Sequence, residues 1–201
     1  MQSHFLIITG MSGAGKTQVV RTLEDLNFFC IDNLPATLIP KFAELCRQTS
    51  EEKVALVVDI RGGRFFDKLL QVLDEMEASG QKYELLFLDA SDATLVRRYK
   101  ETRRRHPLGE RNTLLKNITC ERELLDPLRE KATHIIDTST LTTAQLKTKV
   151  TEMFGEGSSK ERMGIVVRSF GFKHGLPLDS DLVLDVRFLP NPFYVEELRN
   201  M

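Results

Sequence analysis

Eight residues near the start of the chain constrain it more than any other feature. Gly10, Met11, Ser12, Gly13, Ala14, Gly15, Lys16 and Thr17 fit the pattern G-x-x-x-x-G-K-[ST]. They follow an apolar run, HFLIIT (4–9), and open an amphipathic pattern, KTQVVRTLEDL. A strand that turns through glycines into a helix can aim successive backbone N–H groups at one point, and the helix adds the positive end of its dipole. Lys16 then brings a point charge to the β- and γ-phosphates of a nucleotide, and Thr17 a hydroxyl to Mg2+. The segment is therefore expected to cradle ATP or GTP.

The surrounding pattern predicts the scaffold. Short apolar runs at 4–9, 28–31, 54–60, 83–90 and 134–137 alternate with helical patterns at 16–26, 36–49, 66–79, 92–104, 110–131 and 142–154. Nearly unbroken apolar strands are those covered on both faces, and strand–helix alternation builds right-handed βαβ units on a parallel sheet. Residues 1–154 are thus expected to form a three-layer α/β domain. Residues 155–161, GEGSSKE, read as a linker, and 162–201 as an incomplete second unit with strands at 163–172 and 181–189. About 40 residues of that kind bury little core alone, so Phe170, Phe172, Phe188 and Phe193 point to self-association into a homo-oligomer.

Composition excludes the broad alternatives. With 201 residues, 28 basic against 29 acidic side chains and 41% hydrophobic residues, the chain is neither a disordered tail nor a strongly basic nucleic-acid binder. No apolar run approaches the ~18 residues of a membrane span, and the first nine residues lack a signal-peptide leader. Cys30, Cys46 and Cys120 are scattered, as free thiols of a reducing cytoplasm would be. Neither His4 nor His134 has a neighbour at metal-ligand spacing, and His106, beside the arginine run, and His174, beside Lys173, read either as structural or solvated residues or as contacts to an anion.

A magnesium site needs a carboxylate near the loop. Asp59, after VALVV, is the preferred residue and Asp32, after FFCI, its competitor, since both end strands. Arg61 could reach phosphate or base. The run RRYKETRRR (97–105), with six basic residues and one acidic, reads either as a solvated helix face or as a lid carrying arginines toward a phosphoryl group. Contact with RNA through Arg103, Arg104 and Arg105 is a third reading.

Several segments together resemble the RapZ/YvcJ family of bacterial P-loop nucleotide-binding proteins, known as RNase adapter proteins where that role has been found. They are GMSGAGKT, Asp32-Asn-Leu-Pro35, Asp59-Ile-Arg61, FLDA (87–90), ETRRRHPL (101–108) and SFGFKHGLPLDSDLVLDVRFLPNP (169–192). The resemblance implies a kinase-like sheet of order 2-3-1-4-5, binding of ATP and GTP, and modest NTPase activity in which Lys16 and Asp59 take part. It puts the ATP site on residues 10–17 and a guanine-nucleotide motif on Asp59, Ile60, Arg61 and Gly62, where Gly62 replaces the usual Asn or Ser. Family members run on past the position of Met201. A small RNA or a protein partner is implied for a longer form. A nucleoside-monophosphate-type kinase and an RNA-binding adapter with nucleotide as conformational ligand are the competing functions.

Overall fold

The computed structural model describes residues 4–48, 53–58, 63–103, 105–109, 112–155, 166–178, 180–189 and 194. Five parallel strands, β1 (His4–Gly10), β2 (Phe29–Asp32), β3 (Lys53–Val57), β4 (Glu84–Asp89) and β5 (His134–Asp137), form one sheet in the order β2-β3-β1-β4-β5. The expected order and architecture are those observed. The central strand shows why: Phe5 through Ile8 are all buried, so both faces of β1 are covered, as the unbroken apolar run required. Two helix groups provide the cover. α1 (Lys16–Asp25) packs with α6 (Thr143–Phe154), while α3 (Gly63–Ala78) packs with α2 (Ile39–Gln48) and α5 (Leu114–Lys131), and α5 also holds α4 (Asp92–Thr102).

Helix starts follow local chemistry. Ser91, Thr113 and Thr142 each turn a hydroxyl back to accept from a backbone N–H of the first turn of α4, α5 and α6, and Gln145 completes a capping box at α6. The expected helix 36–49 is a 3-10 turn, Ala36–Leu38, leading into α2, because Pro35 and Pro40 favour a tight turn before the helix proper. The helix expected from 110 begins at Leu114, where Thr113 caps it.

Backbone contacts divide the chain into two units, 1–159 and 160–201. In the second unit the expected strands are absent among the described residues. Residues 166–171 and 181–186 have no ladder partner, Phe172–His174 is a 3-10 turn, and 187–189 turn again. An apolar run becomes a strand only beside another strand, and periodicity cannot supply that partner.

Candidate phosphate-binding site

β1 ends in Gly10 with φ 134°, pressed so closely on β4 that a Cβ there would stand 2.1 Å from the Leu88 carbonyl oxygen. The loop that follows is pinned at its first half. Met11 N–H donates to Leu88 O at 2.9 Å, and Ser12 donates from both its N–H (3.1 Å) and its hydroxyl (2.6 Å) to Glu121 Oε1 on α5. The second half opens into α1, whose N-cap is Gly15 in the left-handed conformation. No side chain caps this helix, in contrast to α4, α5 and α6, so its first-turn amides present a positive end to a ligand.

A cavity of about 790 Å³ lies over that end, at the carboxyl ends of the strands, where α/β sheets place their ligands. Ser12, Gly13, Gly15, Lys16 and Thr17 form one wall. Val20, Asp32 and Val57 lie on another, and Arg98, Tyr99, Glu101, Thr102, Arg105 and Pro107 on a third. Lys16 folds back along its own loop, donating to Gly10 O at 2.7 Å and Met11 O at 3.2 Å. Met11 and Ala14 are buried packing residues of the loop, not groups facing the cavity.

The structure thus brings together Lys16, Thr17 and Asp32. Asp32 ends β2 and lines the same cavity as Thr17. β3 ends at Val57, with Val58 N–H still bonded to Ile8 O at 2.9 Å, three residues short of the end of the run expected at 54–60. Asp59, Ile60, Arg61 and Gly62 lie outside the described residues, as does Arg104. Among the described residues no group of three His, Cys, Asp or Glu is arranged to hold a metal. One carboxylate and one hydroxyl suit Mg2+, which takes most of its ligands from phosphate and water, rather than a metal caged by protein.

The basic run divides by face. Arg97 is exposed beside Glu101, whereas Arg98 turns inward and Arg105 reaches the cavity wall. Arg98 donates to Gly13 O and Thr138 Oγ1, both at 3.0 Å, and to Thr138 O at 2.7 Å. The Thr138 hydroxyl in turn donates to Ala14 O at 2.9 Å. Burial, and then the like charge of Arg97, pulls the Arg98 pKa down, but a guanidinium remains charged at neutral pH.

Sequence reading missed three contributors: Thr138, Glu121 and the burial of His106. Glu121 did leave a signal. It falls on the stripe Ile118, Glu121, Leu125, Leu128, the buried face of α5, where a lone carboxylate must have partners. Beside it, Arg122 clamps α5 to the end of β4, donating to Asp89 Oδ1 at 2.7 Å and Asp92 Oδ1 at 2.8 Å. Burial opposes the Arg122 charge, and the hydrogen bonds to those two carboxylates outweigh it and raise the pKa. His4 and His134 also find a shared partner, Glu84, at the amino ends of the strands and away from this cavity.

Comparison with known proteins places the chain in a family. The RapZ-like N-terminal domain matches residues 3–158, and the RapZ C-terminal domain matches residues 163–201. A nucleotide-binding protein of Clostridium botulinum is 57% identical over 198 residues, covering 97% of this chain and 67% of its own length. One from Clostridium kluyveri is 55% identical over 199 residues, covering 98% and 68%. This chain therefore spans about two thirds of the length of these relatives. A shikimate kinase from Bacteroides thetaiotaomicron superposes with a TM-score of 0.50 at 21% identity, over 75% of this chain and 96% of that one, a likeness of fold alone. With an uncapped glycine loop on a kinase-like sheet and matches along nearly its whole length, the chain belongs to the RapZ-like family.

Proposed function

We propose that this chain binds ATP or GTP with Mg2+ at residues 10–17 and hydrolyses it slowly, the nucleotide serving a regulator. The observation that carries the reading is the α1 N-terminus, left uncapped by any side chain and opening with Lys16 and Thr17 onto a cavity of about 790 Å³. Thr17 and Asp32 are the residues that would hold the metal, directly or through its water, and Asp59 joins them by its position in the sequence. Bound Mg2+ supplies charge neutralisation between the phosphates. Lys16 binds the outer phosphates once it leaves the Gly10 and Met11 carbonyls.

Slow turnover fits the exposure of the cavity lining. Asp32, Glu101 and Thr102 are exposed, so water is not excluded from the site. Arg98 is committed to Gly13 and Thr138, and Arg105 lines the same cavity. Equilibrium binding and turnover of MgATP and MgGTP, with Lys16→Ala as comparison, test the proposal. A loss of about 100-fold in affinity, about 2.7 kcal/mol, is expected, and unchanged binding refutes the site.

One observation favours a kinase as the second reading: Asp32 and Arg105 stand on the same cavity as Lys16 and could receive an acceptor alcohol or acid. A panel of small acceptors decides it, by phosphorylated product above the hydrolysis background. The regulatory reading carries with it a small RNA or protein partner. For RNA, filter binding at two salt concentrations is the measure, with affinity that falls steeply with salt as the supporting result.

A further inference from the structure

A carboxylate buried on an apolar helix face costs stability unless its partners do something with it. Glu121 is 4% exposed, and three donors converge on it. Ser12 contributes its N–H and its hydroxyl to Oε1, at 3.1 and 2.6 Å. On the other side His106 Nε2 lies 3.2 Å from Oε2. The ring has no choice of tautomer, because its Nδ1 accepts from Leu108 N–H at 3.2 Å and the proton must therefore sit on Nε2. His106 is itself buried, and its chain neighbours Arg105 and Pro107 both line the phosphate cavity. The carboxylate thus joins two walls of one cavity: the glycine loop and the arginine-bearing segment after α4.

We infer that Glu121 is a positioning residue that couples the phosphate loop to residues 105–109, so that ligand on the loop sets the placement of Arg105. The coupling runs through hydrogen bonds whose donors are all specified. Ser12 has both its N–H and its hydroxyl committed to one oxygen, and the His106 ring can neither rotate nor change tautomer without losing Leu108. A shift of the loop on binding phosphate must move Glu121 Oε1 or break two bonds to it, and Oε2 carries the shift to His106. The ligand half of this inference rests on the proposed nucleotide site, whereas the coupling itself does not.

Glu121→Gln cuts the chain with little change of shape. Its amide oxygen can accept from Ser12, but its NH2 group then faces the His106 Nε2–H, donor against donor, and turning the amide over moves the conflict to Ser12. His106→Phe cuts the other end and leaves both Ser12 bonds in place, and it serves if Glu121→Gln fails to fold.

Amide hydrogen exchange, read by peptide with MgATP as the probe, tests the coupling. In the natural chain MgATP is expected to slow exchange about tenfold at both 10–17 and 105–109. In either variant the slowing should persist at 10–17 and vanish at 105–109. Without ligand, His106→Phe should speed exchange at 10–17, which it does not touch, and leave β5 unchanged. Protection of 105–109 that survives in both variants, or ligand-free exchange at 10–17 that ignores His106→Phe, overturns the inference. If MgATP protects neither segment in the natural chain, the nucleotide reading falls, and the ligand-free comparison still decides the coupling.

Discussion

The Arg98 guanidinium on α4 lies 3.0 Å from the carbonyl oxygen of Gly13, inside the phosphate loop, and the same nitrogen reaches the Thr138 hydroxyl after β5. One side chain therefore fixes a loop, a helix and a strand end that are separate in sequence. Arg98→Ala is expected to destabilise the protein by about 2 kcal/mol, the scale of lost hydrogen bonds to a charged group. Arg98→Lys should recover only part of this, since an ammonium cannot span both Thr138 atoms and Gly13 as a planar fork does. Urea unfolding of the two variants gives the comparison.

Gly10 and Gly80 both have positive φ, at 134° and 72°, but differ in what surrounds them. A Cβ at Gly10 meets Leu88 backbone at 2.1 Å, whereas nothing lies within 4 Å of one at Gly80. Gly80→Ala should cost about 1 kcal/mol, the strain of a left-handed alanine. Gly10→Ala should cost more than about 3 kcal/mol or leave no soluble protein, because β1 and β4 must part. Thermal melts of both variants check the order, and equal effects would contradict it.

Glu84 sits between His4 Nδ1 at 3.1 Å and His134 Nε2 at 2.9 Å. Burial pushes its carboxyl pKa up, but the hydrogen bonds to His134 and then His4 outweigh burial and hold it below the usual value. A carboxyl with a lowered folded-state pKa adds stability above its unfolded value, about 4.3, and that stability is lost as pH falls through the lower folded value. Glu84→Gln should therefore lower the melting temperature at pH 7, and the difference from the natural chain should close toward pH 3. A gap that stays constant across that range would show that the hydrogen bonds to His134 and His4 contribute nothing.

In the second unit large apolar side chains face outward: Val167 is 89% exposed, Phe188 82% and Leu182 77%. Apolar surface of that extent is covered when another surface is within reach. Light scattering of this chain should give a mass above that of one copy, rising with concentration. Val167→Lys with Phe188→Lys should return it to the monomer mass.

The strand pattern and the glycine loop were legible because each depends on near neighbours in the chain. Apolar runs covered on both faces announce a parallel sheet, and the spacing from Gly10 to Thr17 is set by the turn from strand to helix. That Asp32 and Thr17 share a cavity could only be guessed from strand ends, and the fate of the basic run was open between lid and solvated face. Its residues went both ways, Arg97 outward and Arg98 inward toward Gly13, because adjacent side chains of a helix point about 100° apart around its axis. The strands expected in 163–172 and 181–189 did not form among the described residues, since a strand needs a neighbour that no local pattern provides.

By itself, then, the sequence determined what local geometry controls: the order of elements in the first unit and the glycine loop between β1 and α1. Tertiary structure alone decided that Glu121, 109 residues from Ser12, holds the loop, that Thr138 and Arg98 close it from two sides, and that His4, Glu84 and His134 meet. The physical reason is that a hydrogen bond is specified by distance and direction in space. Only the packing of the sheet and its helices fixes those for residues far apart along the chain.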